Sequence, residues 1–129
     1  MIIYYAHPVS HYNTYLEKEG LKAISKCFPE PTIYNPNNEA DSERYKLCGM
    51  DYFKLLASKC DIVVGQGFID GEIPHGVYSE MLAGYESGKK VYYMKDMDLD
   101  LPMIIEVDVK SIKTLSINET RDRIRNGIK

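Results

Sequence analysis

The segment 73–94, IPHGVYSEMLAGYESGKKVYYM, sets a carboxylate, Glu80, beside small residues on a helical pattern that runs into an apolar strand. A helix facing a sheet has no packing use for a charge at that position. About one turn into a helix, unpaired N–H groups and the macrodipole favour the ionised form of an acid. An ionised carboxylate is the nucleophile needed to attack a sugar carbon that becomes electron-poor in an oxocarbenium-like transition state. The plain alternative is an acid that only stabilises the start of its helix. Gly71 and Gly76, on the approach GEIPHGVYSE, allow backbone to come close to a ligand, and the helix start offers donors to an anion or to sugar hydroxyls. Ala83 and Gly84 have side chains short enough for the helix to press against a sheet and hold Glu80 rigidly.

His7, His11 and His75 fall in segments that read as loops. Three histidines near carboxylates are a conceivable Zn2+ set. However, Pro8 makes His7-x-x-x-His11 a loop rather than one face of a helix, and chemistry on Glu80 needs neither metal nor cofactor. Polar contacts to a ligand, including phosphate, suit these histidines better.

These residues need a frame to position them. MIIYYA reads as a buried strand ended by His7-Pro8. Thr14-x-x-Glu17 matches a capping box, and Leu16, Gly20, Ala23, Ile24 and Cys27 recur at helical spacing until Pro29. TIYNP is a short strand candidate, whereas 37–48 is polar and stays unassigned. Phe53, Leu56, Ala57 and Cys60 form a helical stripe leading into the strand DIVVG. A helix over about 76–87 and the strand VYYM follow, then an acidic loop at 96–100 and a strand at 103–107. Ser116-x-x-Glu119 caps a terminal helix. This alternation predicts an α/β fold with a mainly parallel central sheet of about five strands covered on both faces. Ligands of such sheets sit beyond the carboxyl ends of the strands, which brings the loops after Ala6 and Gly65 and the start of the Glu80 helix to one rim.

A chain of 129 residues supports one domain, 1–129. Hydrophobic residues at 44% and charged residues at 27% are those of a folded globular protein. A net charge of −3 argues against a nucleic-acid polymer as partner, because phosphates require a basic stripe. Cys27, Cys48 and Cys60 form no C-x-x-C pair and no disulfide framework, so a cytoplasmic location is expected. No basic n-region precedes MIIYYA, and no apolar run approaches the ~20 residues of a membrane span.

HGVYSEMLAGYESGKKV resembles the signature helix of the nucleoside 2-deoxyribosyltransferase superfamily, with a glycine four residues before a catalytic Glu and a Gly-Lys before the next strand. IYYAHP is similar to that family's first strand, whose tyrosine contacts the nucleophile; the match falls on Tyr4. MDYFKLLASKCDIVV resembles the segment carrying the acid that contacts the nucleobase and helps it leave; the match falls on Asp51, with Asp61 as the fallback. The resemblance implies a flavodoxin- or Rossmann-like three-layer sandwich and cleavage or transfer at the N-glycosidic bond of a 2'-deoxynucleoside. It further implies a covalent deoxyribosyl-Glu intermediate, an acceptor base as second substrate, and a homodimer or larger homo-oligomer.

One departure concerns phosphate. The branch that hydrolyses deoxynucleoside 5'-phosphates has a serine six residues before the Glu and a Gly- and Arg-containing first loop. Here those places hold Pro74 and AHPVSHYNT. His7, Ser10, His11, His75 and the Gly76 backbone are the remaining candidates for substrate contacts. Transfer, hydrolysis of a nucleoside 5'-phosphate, and a nucleotide-binding module without turnover are the three functions to separate.

Overall fold

The computed structural model describes residues 1–95 and 102–129. Strands Ile2–Ala6 (β1), Thr32–Tyr34 (β2), Ile62–Gln66 (β3), Lys90–Lys95 (β4) and Met103–Glu106 (β5) form one sheet in the order β2-β1-β3-β4-β5. The first four strands are parallel, and β5 runs antiparallel to β4. The chain between β4 and β5 is too short for the crossover of a dozen or more residues that a parallel neighbour requires. The acidic loop expected at 96–100 lies outside the described residues. Five helices, Tyr15–Cys27 (α1), Glu39–Cys48 (α2), Met50–Lys59 (α3), His75–Glu86 (α4) and Ile117–Arg125 (α5), complete the α/β fold. Among the described residues no helix is long and apolar enough to cross a membrane.

Strand periodicity divides β1 between two cores. Ile3 and Tyr5 join Ile62, Val64 and Met94 under Ile24 of α1, while Tyr4 and Ala6 join Val63 and Val91 under Ala57 of α3 and Val77 and Met81 of α4. Because both faces are covered, β3 reads as an unbroken buried run rather than an alternating one. The same alternation puts Tyr4 on the face that α4 occupies.

Two glycines set how closely α4 lies on the sheet. A Cβ on Gly84 would sit 2.6 Å from Cγ2 of Val63, and one on Gly65 would collide with the Met81 side chain. The first addition would lift the helix that carries Glu80 off the sheet, and the second would force the Met81 side chain of that helix to move.

The caps are only partly those expected. Ser116 and Glu119 form the reciprocal capping box of α5. At α1 the Thr14 hydroxyl instead donates to the His11 carbonyl at 2.6 Å, and Glu17 turns away to the Asn13 N–H and the His7 ring. A buried histidine outcompetes the helix end for that carboxylate. The unassigned 37–48 stretch is α2, begun by the Asn38 side chain accepting from the Asp41 N–H at 2.9 Å.

Gly84→Ala is therefore expected to lower stability by about 1–3 kcal/mol through overpacking, despite the ~1 kcal/mol that alanine gains over glycine in a helix. Urea denaturation followed by circular dichroism measures it; a stabilised variant would show that α4 does not need the close approach.

Candidate functional site

At the β1/β3 neighbourhood the strand order reverses, which opens a crevice beyond the carboxyl ends of these strands. A cavity of about 330 Å³ lies there, within the size range of small-molecule sites. Its walls come from His7, Pro8, Val9 and Tyr12 after β1 and from Pro74, Gly76, Val77 and Glu80 of α4. Tyr45, Met50 and Phe53 of α2 and α3 add an aromatic and thioether side, and Thr120 and Ile124 of α5 close another. Among the described residues no lysine or arginine lines it.

Glu80 is 6% exposed, and the Tyr4 hydroxyl donates a short hydrogen bond to its Oε1. Its Oε2 accepts no hydrogen bond among the described residues. Among the described residues the fully buried side-chain atoms that lack a partner are Ser10 Oγ and His11 Nε2, so Glu80 Oε2 is not sealed in. One oxygen is thus fixed and the other is free beside the cavity. Burial pushes the carboxyl up to about 8, opposed by the Tyr4 bond. The position near the helix start was expected to keep this acid ionised; desolvation outweighs that, since Glu80 lies in the second turn of α4, where the field of the helix end has weakened. Tyr4 is itself held far above its usual pKa by burial and by Glu80, so it remains a donor.

Tyr4 is braced from behind. Its ring stacks on Tyr34 of β2 with centroids 6.0 Å apart and planes 12° off parallel. The Tyr34 hydroxyl donates to Asp41 Oδ2 at 2.7 Å, the Tyr52 hydroxyl to Oδ1 at 2.6 Å, and Asn38 Nδ2 to Oδ2 at 2.6 Å. Burial pushes Asp41 up, but these three bonds outweigh it and hold the carboxyl below its usual range. Sequence reasoning did not single out Asp41; its signal was Asn38-x-x-Asp41, a capping pattern inside a segment without apolar periodicity.

The loop after β1 is pinned by polar bonds on the other side of the sheet. His7 stacks on Tyr5 at 3.8 Å, with Nδ1 3.0 Å from the Tyr5 carbonyl and Nε2 2.8 Å from Glu17 Oε2. Burial lowers the His7 pKa against the pull of these two acceptors. Asn37 donates to Glu17, which ties the loop after β2 into the same cluster. The Tyr5 hydroxyl donates to Gln66 Oε1 at 2.5 Å, and Gln66 Nε2 lies 2.9 Å from His11 Nδ1. Burial lowers His11 to about 4, so it is a neutral core residue at physiological pH.

The remaining expected site residues scatter. His7 and Gly76 line the cavity; Ser10 and His75 do not, and the His75 N–H donates to Thr120 Oγ1 at 3.0 Å. The Asp51 side chain is 93% exposed and lies 3.9 Å from Lys54. The helical phase explains this: Met50, Phe53 and Ala57 turn α3 inward, and Asp51, 100° further round from Met50, follows Lys54 and Leu55 outward. Asp61 accepts the Ile2 N–H at 2.7 Å, at the amino end of β1 and far from the crevice. Neither acid reaches the cavity. Among the described residues no group of three or more His, Cys, Asp or Glu is placed to hold a metal ion.

Comparison with family models, curated proteins and solved structures finds no match for this chain.

The raised Glu80 pKa fixes a sign for stability. Between the ordinary value of 4.5 and about 8 the folded chain holds a proton that the unfolded chain has released. Stability contributed by this group therefore falls as pH rises through that window. Glu80→Gln, which keeps an acceptor for Tyr4, is expected to match the wild type at low pH. At about pH 8 it should exceed it by on the order of 1–3 kcal/mol. Thermal unfolding across that range tests this; a gap that narrows with rising pH would contradict the buried-acid assignment.

Proposed function

We propose that the protein cleaves or transfers at the N-glycosidic bond of 2'-deoxynucleosides through a covalent deoxyribosyl-Glu80 intermediate, on a flavodoxin-like three-layer fold of the nucleoside 2-deoxyribosyltransferase kind. The observation that carries this reading is a single carboxyl with Oε1 held by Tyr4 and Oε2 unpartnered at the wall of a nucleoside-sized cavity. In the first step an Oε2 lone pair forms a bond to C1' while the C1'–N bond breaks and its electron pair leaves with the base, which then gains a proton. In the second step an acceptor base, or water, attacks C1', loses a proton, and returns the pair to Glu80.

The surroundings favour this chemistry. Desolvation leaves the ionised oxygen without a water shell, and the Tyr4 bond fixes its direction. Tyr45 and Phe53 offer flat faces to a base, and the apolar remainder suits an uncharged ligand. With no lysine or arginine among the described lining residues, a nucleoside fits better than its 5'-phosphate. Hydrolysis with water as acceptor is the second reading, favoured if the cavity admits no second base. Assembly into a homodimer or larger oligomer belongs to the same proposal.

Incubation with deoxynucleosides and deoxynucleotides, with and without an acceptor base, separates the readings by chromatography. Free base alone means hydrolysis, a new nucleoside means transfer, and binding without turnover means a ligand-binding module. Glu80→Ala is expected to lose at least about a thousandfold in kcat while staying folded, and Asp51→Asn to stay within about threefold. Because the nucleophile must shed its proton, kcat/KM should rise with pH, reach half its maximum at about 8 and level off only above that. Undiminished activity in Glu80→Ala would reject the nucleophile.

A further inference from the structure

The departing base carries away an electron pair, and a donor that meets it in the cavity lowers the barrier to its leaving. The acids that might serve are accounted for. Asp51 faces solvent, and both oxygens of Asp41 are taken by Tyr34, Tyr52 and Asn38. His7 is spent between the Tyr5 carbonyl and Glu17, with its side chain fully buried. Among the described residues three hydroxyl side chains remain on the cavity wall: Tyr12, Tyr45 and Thr120. The Thr120 hydroxyl accepts the His75 N–H and keeps a proton to give, but an aliphatic alcohol is a weaker donor than a phenol; Tyr45 is 46% exposed, so water competes for its hydroxyl, and its ring stacks on Phe53 at 5.3 Å.

Tyr12 differs from both. Its ring leans on His7 with centroids 4.8 Å apart, and His7 in turn is stacked on Tyr5, so the ring is held by the bonded floor of the site. Its hydroxyl makes no hydrogen bond among the described residues. Burial, then the nearby Glu80 and Glu17 carboxylates, push its pKa well above the ordinary tyrosine value. The phenol thus keeps its proton over the working range and has it available to donate.

We propose that Tyr12 is the catalytic residue that donates a hydrogen bond to the leaving base, contacting a ring nitrogen or carbonyl oxygen as the C1'–N bond breaks; the assignment rests on the glycosidic-bond reading above. The phenol retains its proton throughout, and the departing base anion takes its own from water. The contact strengthens as charge builds on the base, so it acts on kcat more than on ground-state binding.

Tyr12→Phe keeps the ring on His7 and removes only the hydroxyl. Against deoxynucleosides whose bases span a range of acidity, it is expected to lower kcat by about 10- to 100-fold for the poorest leaving groups. That deficit should shrink toward unity as the base becomes more acidic. No deficit, or a uniform one across all bases, overturns the assignment, since a merely structural role does not track the leaving group. Titration of free adenine and thymine into wild type and variant, read by calorimetry, separates the two claims. If wild type turns over no deoxynucleoside, the glycosidic reading falls. A base affinity lost in Tyr12→Phe then keeps Tyr12 as the base contact, while equal affinity or no binding removes it as well.

Discussion

A carboxyl group taken out of water must find a partner or give up its charge, and among the described residues Glu80 has one hydrogen-bond partner, Tyr4. The Tyr4 hydroxyl holds one oxygen and leaves the other without a bond. Every element around the crevice serves that pair. β1 lies between β2 and β3, in register with Tyr34 on one side and Val63 on the other, so the Tyr4 backbone cannot shift. α4 reaches the sheet because Gly65 and Gly84 leave room for Met81 and for contact with Val63. Asp41 anchors Tyr34, and Tyr34 stacks on Tyr4. The half-satisfied acid is thus the product of three independent supports.

Consecutive tyrosines on β1 divide the work. Tyr4 faces α4 and the acid, whereas Tyr5 faces α1 and bonds Gln66 under His7. Gly20 is indispensable to the second arrangement, because a Cβ there would occupy the space of the Tyr5 hydroxyl. The loop that floors the cavity is held by this buried polar set rather than by apolar packing, which gives directional placement that aliphatic contacts do not. Tyr12 inherits its position from that floor through His7.

The parts visible in the sequence were those with a periodic or apolar signature. β1, β3 and β4 are compact hydrophobic runs, and α4 combines helical spacing with two small residues against the sheet, so the strand–helix frame could be anticipated from pattern alone, whereas the meeting of Tyr4 with Glu80 was expected only from the resemblance of IYYAHP to a family's first strand. α2 could not, because Asp41 is its one buried residue and polar bonds rather than an amphipathic stripe hold it in place. Thr14-x-x-Glu17 looked like a cap because sequence does not show that His7 waits three-dimensionally beside Glu17. Asp51 shared its segment with inward-facing residues but not their helical phase, a distinction of 100° that decides between cavity and solvent. The direction of the Glu80 shift also escaped, since burial depth is a tertiary quantity.

The most direct measurement is mass spectrometry of the protein quenched within its first turnovers with a deoxynucleoside, followed by peptic mapping. Attack by Glu80 Oε2 predicts a deoxyribosyl ester on the peptide that contains residue 80, absent from Glu80→Gln. Release of base with no adduct on that peptide, or with the sugar attached to another residue, would contradict the role assigned to this buried carboxylate.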